Sequence, residues 1–232
     1  MKKLIYGLLC LATAVYAESD PVPEKNAITS DISAQNVSPE MSDQQRRDAA
    51  QAAANQGNWT AAFEWIYPLA LKGDANAQAN VGILYLQGKG VEKDTEKAYW
   101  WLSEAAEQGN IKGINYLAFM YLDGNGTKKS LPHAMKLLQK TANAKDQTAM
   151  FVLGMLYYRE LKDFKNAFLW LEKAAKADHN ESKFRLATMY EEGKGTKRNA
   201  EKAVYWYQQT LKQSDRFAEQ AQKRLQHLQM PK

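Results

Sequence analysis

One spacing constrains this chain more than any other. The pattern A-x-x-W returns at Ala62…Trp65, Ala98…Trp101, Ala167…Trp170 and Ala203…Trp206, and Ala134…Leu137 is a fifth copy with leucine in place of tryptophan. The steps along the alanine column are 36, 36, 33 and 36 residues. A tyrosine column keeps the same rhythm at Tyr85, Tyr121, Tyr157 and Tyr190, and three residues before each stands a small residue: Gly82, Ala118, Gly154 and Ala187. Self-similarity at such a period marks a repeat architecture, in which one unit cannot bury its apolar face alone and stacks on its neighbours to do so. The full units are residues 74–109, 110–145, 146–178 and 179–214. A degenerate unit precedes them at 43–73, with Ala49 and Ala52 where the small residue and the tyrosine would fall.

Each unit reads as two helices. In the first full unit Ala77, Val81, Leu84 and Tyr85 recur at helical spacing, and Gly88 and Gly90 stop that helix. Asp94 is placed to cap the next one, whose apolar face is Ala98, Trp101, Leu102, Ala105 and Ala106, and Gly109 ends it. Helices this short are marginal alone in water and depend on packing. The small columns fit the crossing of the two helices of a hairpin; the Tyr and Trp columns, Leu137 included, fill the wider space beside it. Phe217, Ala221, Leu225 and Leu228 form one face of a closing helix within 215–232.

The first full unit, AQANVGILYLQGKGVEKDTEKAYWWLSEAAEQG (77–109), resembles the Sel-one-like repeat (SLR), a relative of the tetratricopeptide repeat, nearly throughout. The resemblance covers residues 74–214. It implies an all-α fold, an α/α solenoid wound as a right-handed superhelix, and a binding scaffold rather than an enzyme. By the tetratricopeptide analogy, certain first-helix positions face a concave groove: Ile83 and Leu86; Asn115, Phe119 and Leu122; Phe151, Met155 and Tyr158; then Phe184 and Glu191. Aromatic and aliphatic residues at these positions form either a partner-binding stripe, suited to a protein or peptide, or a seam buried between adjacent first helices. Lys112, Arg159 and Glu192 stand close enough to add charge selectivity. The unit 146–178 departs from the pattern: it is three residues shorter and lacks the GxG turn.

Residues 1–17, MKKLIYGLLCLATAVYA, read as a Sec signal peptide, with a basic start and an apolar run too short to span a bilayer. Residues 18–42 carry Pro21, Pro23 and Pro39 among polar residues and read as a disordered linker. The single cysteine, Cys10, lies in the signal segment. The exported chain is then cysteine-free, unlike the cysteine-rich SLR proteins that have been linked to penicillin binding. Export lowers the formal net charge from +5 to +3, which gives no footing for nucleic acid, and no integral membrane span follows the signal.

No residues assemble a reaction. Neither S-x-x-K, K-T-G nor G-x-S-x-G occurs. His133, His179 and His227 are scattered and read as single surface residues; Asp123-Gly124-Asn125-Gly126 lacks the remainder of a calcium loop; Glu191 and Glu192 read as solvated. Neither metal nor cofactor is expected. The thrice-repeated GxG, at Gly88-Lys89-Gly90, Gly124-Asn125-Gly126 and Gly193-Lys194-Gly195, reads as a turn device and not as a phosphate loop, with Lys89 solvated. Lys89, Lys93, Lys128, Lys129, Lys194, Lys197 and Arg198 line one edge, as solubilising charge or as a weak contact for anionic envelope polymers. The expected function is that of an exported, periplasmic, non-enzymatic adaptor. The alternatives are a penicillin-binding or β-lactamase-like cell-wall enzyme, and a secreted effector or adhesin that binds a host protein.

Overall fold

Helices in this chain begin where a side-chain oxygen or nitrogen can take up an orphan N–H of the first turn. The computed structural model describes residues 41–229, all of it helix and connection; the signal segment and all but the last two residues of the linker lie outside them. Eleven helices follow in order: α1 (Asp43–Asn55), α2 (Trp59–Leu71), α3 (Ala75–Gln87), α4 (Thr95–Glu107), α5 (Ile111–Asp123), α6 (Leu131–Asn143), α7 (Gln147–Arg159), α8 (Phe164–Lys176), α9 (Asn180–Glu192), α10 (Ala200–Thr210) and α11 (Arg216–Gln229). The first helices of the four full units are capped by Asp74, Asn110, Asp146 and His179, each accepting from the N–H three residues on. Asp94 caps α4 through Glu96 N and Lys97 N.

The chain divides into two compact units at Ser130 and Leu131. Within the first, successive helices α1 to α5 pack on one another, and α3 also meets α5. Within the second the same holds for α6 to α11, and α9 also meets the closing helix α11. The small columns are buried in the full units: Ala98, Ala118, Ala134, Ala167, Ala187 and Ala203 are all 0 % exposed. A side chain on Gly82 would place its Cβ 2.7 Å from Leu102 Cγ, and one on Gly154 would stand 2.7 Å from Leu171 Cγ. The helices of a hairpin thus close over the residue that follows the Trp column. That column, Ile66, Leu102, Leu138, Leu171 and Tyr207, is buried throughout.

The Trp column itself behaves otherwise than expected. Trp101 is 1 % exposed, with its ring edge-on to Tyr67 at 5.7 Å and to Trp100 at 4.6 Å. Trp65, Trp170, Trp206 and Leu137 are only half-buried, as are Tyr121 and Tyr157 in the tyrosine column, while Tyr85 and Tyr190 are buried. Lys173 lies over the Trp170 ring at 3.9 Å, so this tryptophan carries a cation on its open face.

The GxG turns are joints between repeats. The first glycine ends the helix in the left-handed region, as Gly88 does at φ 65° with its N–H on Leu84 O. The second approaches the backbone of the preceding hairpin: a Cβ on Gly90 would stand 2.1 Å from Trp59 O, on Gly126 2.2 Å from Thr95 O, and on Gly195 2.0 Å from Phe164 O. Those three carbonyls belong to the first residue of α2, α4 and α8. No side chain fits there, which is why glycine recurs. Every hairpin, including the short one without GxG, is closed by a bond to the tyrosine-column carbonyl: Asp94 N to Tyr85 O, Ser130 N to Tyr121 O, Asp163 N to Tyr157 O and Asn199 N to Tyr190 O.

Candidate binding groove

The stripe expected on the first helices is partly consumed by packing. Ile83, Asn115 and Phe184 are buried. The Phe184 ring lies 5.6 Å from Tyr207 and 6.0 Å from Phe217, so it belongs to the core under the closing helix and offers nothing to a partner. Leu86, Phe119, Leu122, Phe151, Met155 and Tyr158 are half-buried. Phe151 stacks on the His179 ring at 4.6 Å, Tyr158 meets Phe164 at 5.0 Å, and both join Met155 against a core of Ala167, Leu171 and Met189. Adjacent helices therefore cover one side of each ring and leave the other side open.

Several side chains read as solvated have structural partners. Lys89 places its ammonium 4.6 Å above the Trp59 ring. Its counterpart Lys194 bonds Tyr158 Oη at 3.1 Å and Glu192 at 2.8 Å. Glu191 accepts from Tyr207 Oη at 2.6 Å and lies 3.4 Å from Arg224, which ties α9 to α10 and α11. His179 is half-buried and caps α9: its Nδ1 accepts from Ser182 N at 3.3 Å and lies 2.9 Å from Ser182 Oγ. Burial lowers its pKa, with Lys183 in the same sense and Glu181 and Asp146 opposing.

The open concavity with an apolar floor lies in the N-terminal unit, a groove of about 430 Å³ walled by α1, α2 and α3 and closed at one corner by Lys112 at the start of α5. Ile66, Ala77, Ile83 and Leu84 are among its floor; all are buried in the unit and show the groove one face. The rim is polar. Arg47 and Asp74 pair at 2.7 Å, and Asp74 also caps α3 at Ala77 N, so this charge is matched. Next along α3, Asn76 and Asn80 stand with Lys112. Asn76 and Asn80 are four apart on α3 and share a face.

A ladder of hydrogen bonds between α3 and the start of α5 fixes these groups. Gln108 Nε2 donates to Gln78 Oε1 at 2.6 Å, Asn110 Nδ2 to Asn76 Oδ1 at 2.7 Å, and Lys112 Nζ to Asn80 Oδ1 at 2.8 Å. Desolvation lowers the pKa of Lys112, and no carboxylate lies within ion-pair distance of it among the described residues. Sequence reading noticed Lys112 only as a neighbour of the stripe. Asn76 and Asn80 escaped it; their i, i+4 spacing on a mostly apolar helix was the available signal.

The description Sel1 repeat matches four consecutive segments of this chain, residues 75–110, 111–146, 147–179 and 180–215. A curated mouse protein, DAP3-binding cell death enhancer 1, is 42 % identical over 156 residues, which is 66 % of this chain and 31 % of that protein. The chain thus spans about a third of the length of that relative. Among solved structures, a protective antigen of uropathogenic Escherichia coli with an SLR fold superposes with a TM-score of 0.72 at 25 % identity, over 80 % of this chain and 41 % of the other. A Sel1 repeat protein from Oxalobacter formigenes gives a TM-score of 0.69 at 24 % identity, over 77 % of this chain and 73 % of the other.

Proposed function

The chain belongs to the Sel1 repeat family, and from that premise we propose that it is an exported, non-enzymatic scaffold that binds a protein or peptide on the face presented by its first helices. The observation that carries this reading is the groove of the N-terminal unit, where an apolar floor lies open beneath a polar rim. Concavities of this size and lining hold side chains of a partner, with the rim fixing orientation. Half-buried rings also stand on first helices within each unit, Phe119 in the first and Phe151 and Tyr158 in the second. The mouse relative is named for binding a protein, which accords with the same use of the repeat. The reading of residues 1–17 as a Sec signal points to the bacterial periplasm.

Two measurements test this. Fractionation of the producing cell should find the protein in the periplasmic fraction; a cytoplasmic pool of full-length chain would contradict export. Cross-linking in intact cells should capture a discrete partner, and Ala54→Trp, which fills the groove from α1, should abolish capture while helical content and melting stay intact. Undiminished capture by that variant would move the site elsewhere. Turnover of nitrocefin by the pure protein would contradict the non-enzymatic reading.

A further inference from the structure

We propose that the N-terminal groove recognises an acidic, extended segment of its partner, laying an Asp or Glu carboxylate against Lys112, Asn80 and Asn76 and an apolar side chain on the floor at Ile83 and Leu84. This rests on the reading of the groove as the binding site and specifies the chemistry of the occupant.

The rim corner at Lys112 is rich in hydrogen-bond donors. Lys112 Nζ is a donor only, so the atom of Asn80 that meets it must be the carbonyl oxygen. Asn110 uses its own oxygen to cap α5 at Gly113 N, 2.9 Å away, so it meets Asn76 with its NH2 and Asn76 must answer with oxygen. Both amide orientations are therefore dictated by chemistry. The oxygens of Asn76 and Asn80 each already accept one bond within the protein, and their NH2 groups remain as donors beside the remaining N–H bonds of Lys112. This corner of the rim offers donors and a cation, and the carboxylate of the neighbouring Asp74 is already neutralised by Arg47. The Lys112 ammonium is exposed and no described carboxylate pairs with it, so an anion seated here gains a charge-assisted hydrogen bond. A cationic or amide-only segment would leave the charge unmatched; a carboxylate next to an apolar residue satisfies floor and rim together.

The test uses fluorescein-labelled short peptides of alternating Leu and Glu, the isosteric Leu and Gln peptide, and a Leu and Lys peptide, titrated by anisotropy into the intact exported chain, Lys112→Met and Ala54→Trp. The acidic peptide should bind about ten-fold more tightly than its amide counterpart, the size expected from one charge-assisted hydrogen bond. Lys112→Met should remove that preference by weakening the acidic peptide more than the amide peptide, and should keep the melting curve; added salt should weaken the acidic peptide most. Equal binding of acidic and amide peptides, both lost in Ala54→Trp, overturns the carboxylate preference and leaves the groove as the site. No binding of any peptide, or binding that Ala54→Trp does not disturb, overturns both. A concentration-dependent dimer in light scattering that Lys112→Met dissolves would give the groove to a second copy and overturn the proposal.

Discussion

The two compact units are built from the same repeat and solve its packing differently. In the N-terminal unit the tryptophan of the first full repeat is sealed into the core, and every described residue with positive φ is a glycine. In the C-terminal unit Trp170 and Trp206 are half-open, and the left-handed positions include Lys145, Lys162 and Asp178. There the core passes to Leu171, Tyr207 and the closing helix with Phe217, Ala221 and Leu225. The repeat columns thus prescribe where a residue stands, while its burial depends on what its neighbours supply. The difference also locates the groove: the N-terminal unit has α1, with small Ala50 and Ala54 facing the space between α1 and α3.

The strongest way to break this comparison is to truncate equivalent tryptophans. Trp101→Ala should cost about 3–5 kcal/mol in urea unfolding, and Trp170→Ala about 1 kcal/mol, in keeping with its open face and single cation partner. Equal costs would show that the units share one core design. Because Trp101 Nε1 is buried without a partner, Trp101→Phe should be far milder than the alanine change.

The joints come next. Gly90→Ala, and Gly195→Ala in the other unit, should each cost about 3 kcal/mol, since backbone collision adds to strain at positive φ. Gly88→Ala makes a tight contact, Lys93 Cβ at 3.1 Å, but no backbone collision, and should cost about 1 kcal/mol. If the second glycine were no more sensitive than the first, the joint would not be the reason for GxG.

A gain is expected where the C-terminal unit departs from glycine. Lys162→Gly relieves an exposed lysine at φ 54° and should stabilise by about 0.5–1 kcal/mol. No gain would mean that the short turn of residues 160–163 is relaxed as it stands.

The smallest effect is on pH. His179 caps α9 with an unprotonated nitrogen and has a folded pKa below its ordinary value. The unfolded chain then binds the proton more readily, so the stability from this group is present above about pH 6.5 and is lost as pH falls through the folded pKa. The loss should be about 1 kcal/mol, the worth of one cap, and should be smaller in His179→Asp, which restores the residue type of Asp74 and Asp146. Identical pH profiles for the two proteins would contradict the cap.

Much of this architecture was legible in the sequence because the repeat reports on itself. The hairpins, the Asp94 cap, the glycine stops and the closing helix all follow from residue type and spacing. The column of Leu102, Leu138, Leu171 and Tyr207 was overshadowed by the tryptophans beside it, although it stands one helical turn from the alanines and so shares their face. The site was less legible. Whether Ile83 or Phe184 is open depends on helices distant in sequence, and the solvated readings of Glu191 and His179 failed for the same reason; Lys89 is exposed as read. The donor rim needed the ladder from α3 to α5, since Asn76 and Asn80 acquire direction only from Asn110 and Lys112.

The central claim is that a partner seats in the groove of the N-terminal unit. Its most direct test places a photo-crosslinking amino acid in living cells at Gln87 on the groove rim and, separately, at Tyr205 on the exposed face of α10. The account predicts one discrete adduct from Gln87, lost in Lys112→Met, and none from Tyr205. The same adduct from both positions, or from Tyr205 alone, would contradict it.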